Sequence, residues 1–221
     1  MTVALVGDAH GKYLAKHQPM KISAAEAIWE TESPADFVVV AGINEEAGEN
    51  GFEIRVPKAL SFLLYNKFEG EVKGREDLQA EAVAQYGPGN YIPPVTITFW
   101  TFRFMVGIGF LMGLLALLAV IKPKIKFLDK NRLFLKILIP SMILPYLAST
   151  FGWILTEEAR QPWIVYGLMK VEDAVSPNLT GGEVLFSLVI FTVLLGALIA
   201  VTGWLMYKYG MAEPKAEEAA E

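Results

Sequence analysis

Residues 95–121 read VTITFWTFRFMVGIGFLMGLLALLAVI, a run with one charge, Arg103, and none from Phe104 onward. A bilayer core of about 30 Å is crossed by roughly 20 mostly apolar residues in a helix, so this run predicts a membrane span. Two further uncharged runs, 137–156 and 184–207, predict a second and a third. The whole chain agrees: of 221 residues 53% are hydrophobic and 12% aromatic, with mean hydropathy +0.38, too apolar for an ordinary soluble domain. The fold class expected is an all-α integral membrane protein, three transmembrane helices preceded by an extracytoplasmic loop domain and forming part of a larger helical bundle.

Charge sets the expected direction of the spans. The stretch 122–136, KPKIKFLDKNRLFLK, carries six basic residues and one acid, whereas the connection between the second and third spans has only Arg160 and Lys170 as basic residues. Positive loops stay on the cytoplasmic side, so 122–136 is predicted inside. The front segment 1–94 and the connection 157–183 then face outward, and the acidic tail 208–221 lies inside. The front segment is itself acidic, with 8 basic and 14 acidic side chains in residues 1–92. That balance, and the formal net charge of −5, argue against nucleic-acid binding. With no cysteine, disulfides, thiolate metal sites, iron–sulfur clusters and covalent c-type haem attachment are excluded.

Boundary signals fit this division. Pro93-Pro94 breaks the chain before the first span, Pro140 and Pro145 should kink the second, and Thr180-Gly-Gly-Glu183 reads as a capping box opening the third. The start, MTVALVGDAHGKY, lacks the features of a signal peptide although an outward segment follows it. It is expected to be either the last turn of a truncated span or the start of a naturally split subunit. Within the front segment a helix is predicted near residues 20–30, a loop with a short β-prone FVVV run over 36–51, an amphipathic segment over 55–65 and a helical patch over 76–85.

Several polar residues are costly where they stand. Arg103, two turns into a span, either snorkels to the outer interface or meets a buried carboxylate on protein or cofactor. Met105 is a packing residue or a ligand. Glu157 and Arg160 are three apart at the outward end of the second span and form an interfacial ion pair, or Glu157 turns inward as an iron ligand. His10 and His17, on either side of a Gly-Lys turn, make a weak metal pair. Lys21 and Glu26 are five apart, more than 100° around a helix, and can converge on a small pocket only from different angles.

The block Ala159-Arg160-Gln161-Pro162-Trp163-Ile164-Val165-Tyr166-Gly167, followed by Asp173-Ala174-Val175-Ser176-Pro177 and Gly182-Glu183-Val184-Leu185-Phe186-Ser187, closely resembles subunit I of the cytochrome bd quinol oxidases. So does Phe99-Trp100-Thr101-Phe102-Arg103-Phe104-Met105-Val106-Gly107, which resembles the span after that family's quinol-binding loop. Gly7-Asp8 and then Gln18-Pro19-x-Lys21-x-x-Ala24-x-Glu26 resemble the start of the loop. The blocks follow family order along the whole chain, as its C-terminal half. Two departures are Ala159 in place of a glycine, and Glu158, which sets a second carboxylate beside Glu157 and leaves the choice between them open.

The resemblance implies a quinol:oxygen oxidoreductase, active only as part of a complex in a prokaryotic cytoplasmic membrane. Quinol would be oxidised at the outer face by Lys21 and Glu26. Electrons would pass through low-spin haem b, with Met105 as axial ligand and Arg103 beside it, to a di-haem site that reduces oxygen and generates membrane potential. Glu157 would ligate high-spin haem b, with Trp153 nearby and Arg160 holding propionates. Haem d would be held largely by a partner chain carrying the missing N-terminal helices and their histidine ligands. A second oxidase subunit, small single-span subunits and membrane lipid complete the implied partners. The alternative is a split or diverged paralogue that transfers electrons or assists assembly without reducing oxygen.

Overall fold

The computed structural model describes residues 2–121 and 132–210. Most of the basic loop 122–136 and the acidic tail lie outside the described residues. The chain divides into two compact units, Met1–Ala174 and Val175–Glu221.

The first unit opens with α1 (Thr2–His17), whose last turn carries Lys16 and His17, cations favoured at a helix C-terminus. The predicted Gly-Lys turn is absent, because Gly11 is accommodated inside this continuous helix. After Gln18, α2 (Pro19–Glu26) starts with proline at its first position, where no N–H is needed, and ends at Ala27 in a left-handed conformation. It is shorter than the helix expected to reach residue 30.

Strands β1 (Phe37–Asn44) and β2 (Glu49–Val56) pair antiparallel, Phe37 opposite Val56 and Asn44 opposite Glu49. This corrects the loop expected over 36–51 and the amphipathic segment expected from residue 55. In β2, Phe52, Ile54 and Val56 alternate with Glu53 and Arg55, a period of two that suits a strand. Helix α3 (Ala59–Tyr65) and helix α4 (Arg75–Tyr86) follow. Glu76 and Asp77 favour the first turn of α4. Gly74, just before it, lies so close to the Glu30 backbone that a Cβ would collide with it.

The first predicted span is α5 (Val95–Ile121). Its N-terminal end is part of the loop domain's core, where Val95 and Phe99 pack with Ala24, Ala27, Trp29, Val38 and Ala41. Glu45, from the hairpin turn, accepts a hydrogen bond at 2.6 Å from the Thr96 N–H, one of the donors left free at the start of the helix. The second span is broken as its prolines predict, into α6 (Arg132–Ser141) and α7 (Leu144–Glu158). Across the break the Met142 and Ile143 N–H groups bond three residues back, to Ile139 and Pro140 carbonyls, at 3.4 and 3.2 Å. A small hairpin, β3 (Trp163–Val165) with β4 (Met169–Lys170), follows α7.

The second unit contains α8 (Gly181–Gly210). Its capping box forms: the Thr180 N–H donates to Glu183 Oε2 at 2.8 Å, and the Glu183 N–H returns to Thr180 Oγ1 at 3.4 Å. In all, three helices are long and apolar enough to cross a membrane, Val95–Ile121, Lys136–Glu158 and Gly181–Gly210. The fold is mostly helical, and among the described residues its β content is the two small hairpins and an isolated antiparallel bridge between Glu32 and Val72.

Candidate functional site

Most of the sequence-predicted residues fall in two groups near the N-terminal end of α5 and the C-terminal end of α7, with Met105 and Trp153 apart from both. The first centres on Arg103. Its Nη2 donates to Glu26 Oε2 at 2.6 Å, its Nε to the Val38 carbonyl at 2.9 Å and its Nη1 to the Ala25 carbonyl at 3.4 Å. The rings of Phe99 and Phe37 lie 4.4 and 4.5 Å from the guanidinium carbon. The Arg103 and Glu26 side chains are 10% and 5% exposed, so this ion pair is almost dry. Arg103 therefore meets a buried protein carboxylate, supplied from 77 residues away. Burial pushes the Glu26 carboxyl up to about 7, against the opposing pull of Arg103.

The second group contains Lys21, Glu157 and Arg160. Lys21 lines a cavity of about 140 Å³ between α2, α4 and the chain after α7, which Arg160 also lines. Its Nζ makes a long 3.4 Å hydrogen bond to the Thr156 carbonyl at the end of the second span. Burial and the Arg160 charge hold the Lys21 ammonium below its ordinary pKa, and Glu157 opposes them. Arg160 Nη2 donates to Glu157 Oε2. Arg160 Nε is buried with no hydrogen-bond partner among the described residues, a donor left for something else. Lys21 and Glu26 are thus not brought together, since Glu26 is absent from the cavity wall.

The cavity has an aromatic wall that the sequence reading did not pick out as a site. Trp163 stacks on Tyr91 at 5.6 Å between ring centres, meets Tyr86 edge-on at 4.9 Å and lies 6.0 Å from Tyr166. Burial, then the neighbouring Tyr86, raises the Tyr166 phenol. The available signal was composition: Tyr86 and Tyr91 flank Gly87-Pro88-Gly89, and Trp163 and Tyr166 follow Arg160-Gln161-Pro162.

Met105 lies where the first two spans approach each other. A Cβ on Gly152 of α7 would sit 3.0 Å from its Sδ, so the absent side chain makes room for the thioether. Phe104 and Phe151 meet beside it at 5.1 Å. Trp153 and Glu157 are one turn apart on α7, and Trp153 is 68% exposed. Glu157 is partly exposed, as is Arg160, so their pair contributes little stability, about 0–1 kcal/mol.

Comparison with known proteins gives these features a context. Residues 1–214 match the sequence profile of the family described as cytochrome bd terminal oxidase subunit I. The chain is 46% identical over 201 residues to cytochrome bd ubiquinol oxidase subunit 1 of Bacillus subtilis strain 168, covering 89% of this chain and 43% of that one. It is 28% identical over 273 residues to cytochrome bd-II ubiquinol oxidase subunit 1 of Escherichia coli strain K12, covering 98% and 53%. Among solved structures it resembles the bd oxidase from Geobacillus thermodenitrificans, with a TM-score of 0.76 and 31% identity over 96% of this chain and 46% of that one. The chain spans about half the length of the curated relatives it matches.

Proposed function

Because the chain belongs to the cytochrome bd terminal oxidase subunit I family, we propose that it serves a membrane quinol:oxygen oxidoreductase, as the part that oxidises quinol and holds haem. The residues corresponding to the other half of that subunit, with their histidine ligands, and a second oxidase subunit complete the enzyme. Small single-span subunits and membrane lipid surround it. The basic loop 122–136 lies on the cytoplasmic side, and the front segment faces outward.

The observation that carries this reading is the approach of the first two spans at Met105 and Gly152, five residues before Glu157. The side chains suit haem. Met105 offers a neutral thioether in a space Gly152 leaves open, Glu157 a partly exposed carboxylate, and Arg160 a buried N–H without a partner for a propionate. Met105 would hold the low-spin haem b and Glu157 the high-spin haem b, with Trp153 beside it; haem d is held largely by the partner histidines. Bound there, haem supplies one-electron transfer between quinol oxidation and oxygen reduction.

The protein's own residues bind and orient the substrate. Tyr91 and Trp163 wall the cavity with aromatic faces suited to a quinol ring, and the Lys21 ammonium donates to a ring oxygen. A lysine held below its ordinary pKa also gives up and regains a proton more readily, as quinol oxidation requires. Glu26 matches the second member of the family's quinol pair and lies against Arg103 rather than on the cavity wall. Protons released there leave to the outside while those consumed in forming water come from the inside, which generates membrane potential.

The test is a dithionite-reduced minus oxidised spectrum of the native complex containing this chain, with its subunits identified by mass spectrometry. Low-spin b and chlorin-type d bands with a histidine-bearing partner are expected; low-spin b alone would point to an electron-transfer paralogue. Met105→Ala should abolish the low-spin b band and leave high-spin haem, and a retained band would remove the ligand assignment.

A further inference from the structure

Helix α3 buries one side only. Leu60 packs inward with Ile28, Ala35 and Val72, whereas Phe62, Leu63 and Tyr65 are exposed. Phe68, just beyond the helix, is also exposed and stacks on Phe62 at 5.0 Å between ring centres, so the two rings form one apolar patch. Lys12 of α1 donates to Asn66 Oδ1 at 3.0 Å and fixes the end of α3 that carries the patch. Apolar side chains grouped in this way on a surface mark an interaction site.

Charge around the patch indicates its partner. Residues 1–92 hold more acids than bases, 14 against 8, and Lys12, Arg55 and Lys73 are ion-paired within that segment. Lys16, Lys58 and Lys67 make no ion pair and no side-chain hydrogen bond among the described residues. All three surround α3. Lys58 immediately precedes it and Lys67 follows it by two residues. Lys16, of α1, lines a cavity of about 260 Å³ against α3, with Lys73, Glu71 and the apolar Ile22, Leu64 and Val72. Free ammonium groups framing an apolar patch suit a partner that is apolar within and anionic at its surface, as a bilayer containing anionic phospholipid is. The loop domain stands beside a bilayer, because its core includes the N-terminal end of the membrane-spanning α5.

We propose that α3 and Phe68 rest in the interface of the bilayer on the loop domain's side, with Lys16, Lys58 and Lys67 on the phosphates of anionic phospholipid. Aromatic rings favour the headgroup level, and lysine stems cross apolar surface to place their ammonium in the polar layer. So short a helix would not anchor a free protein. The spans already hold this one, and the patch has only to set the loop domain against the membrane surface.

The test uses the intact complex containing this chain, in nanodiscs of phosphatidylcholine with a small share of phosphatidylglycerol bearing a photoreactive diazirine beside its glycerol. After illumination the labelled residues are mapped by peptide mass spectrometry. The exposed apolar side chains of α8 should be labelled in every sample and serve as the reference. Label should also reach α3 and Phe68. Lys16→Gln, Lys58→Gln and Lys67→Gln should each lower the α3 label relative to α8 about fivefold. These side chains are exposed and unpaired, so the variants should fold as the parent does. A phosphatidylcholine carrying the same diazirine should label α3 as weakly as the triple lysine variant.

Label on α8 without label on α3 would mean that protein covers the patch, and would overturn the proposal. Equal α3 labelling by the two lipids, or by parent and triple variant, would overturn the recognition of anionic lipid. Neither readout depends on haem or turnover, so such a failure would leave the quinol-oxidase reading standing.

Discussion

Arg103 is tolerated two turns into an apolar helix because the loop domain folds over it and delivers a carboxylate and two carbonyls. Removing either member of such a buried pair leaves the other uncompensated, at about 3–5 kcal/mol. Arg103→Leu should therefore lower the melting temperature of the complex far more than Lys12→Leu, which removes an exposed ion pair to Asp8. Comparable losses would show that the pair is not buried in the assembly. The same pair sets a pH dependence. The folded protein holds the Glu26 carboxyl near 7, while unfolding returns it to about 4.5. Between those values the folded state keeps a proton that the unfolded state has released, so stability falls as pH rises from about 4.5 through about 7. Melting of the complex across pH 5 to 8 should show this decline, and Glu26→Gln should flatten it. An unchanged slope in that variant would assign the dependence to other groups.

The elements differ in how far their own sequence specifies them. Val95–Ile121 and Gly181–Gly210 are dictated by unbroken apolar composition, and the break in the second span by Pro140 and Pro145. The capping box at Thr180 is also local, since its partners are three residues apart. The β-hairpin was harder to read. Its second strand, ENGFEIRV, mixes charge with apolar residues, and its bulges after Val38 and Gly42 disturb the alternation of the first. Least legible were the long-range contacts, Glu45 with Thr96 and Glu26 with Arg103, because spacing along a chain does not show which loop carboxylate returns to which helix. The Lys21–Glu26 spacing showed that the two leave the helix at different angles, but the expected convergence on one small pocket does not occur, because Glu26 is drawn to Arg103. Packing between elements is what brings Met105 to Gly152, and it can be tested there. Gly152→Ala places a Cβ 3.0 Å from the sulfur, so the thioether must shift by a few tenths of an ångström. The low-spin haem band should move or broaden, whereas Glu45→Ala should cost about 1 kcal/mol of stability with that band intact. An unperturbed band in Gly152→Ala would place Met105 away from the haem iron.

For the whole molecule, the decisive property is the unequal distribution of charge about its apolar helices. Three long helices whose apolar side chains lie largely exposed in the chain by itself require lipid or further protein around them. Their direction is governed by the lysines and arginines of the connections: six in 122–136 against two between the second and third spans. A chain without cysteine makes that direction measurable on a silent background. Single cysteines are introduced at Ala47, in the exposed turn of the β-hairpin, at Lys126, in the basic loop, and at Val175, which is 74% exposed ahead of the third span. Each chain, in its complex, is treated with a membrane-impermeant maleimide before and after the membrane is opened. Ala47→Cys and Val175→Cys should react in intact cells stripped of their outer layers, and Lys126→Cys only once the cytoplasmic face is exposed. The reverse pattern would invert the orientation and move the Lys21 cavity to the cytoplasmic side. Quinol would then release its protons on the side from which oxygen reduction draws them, and turnover of the complex would build no membrane potential.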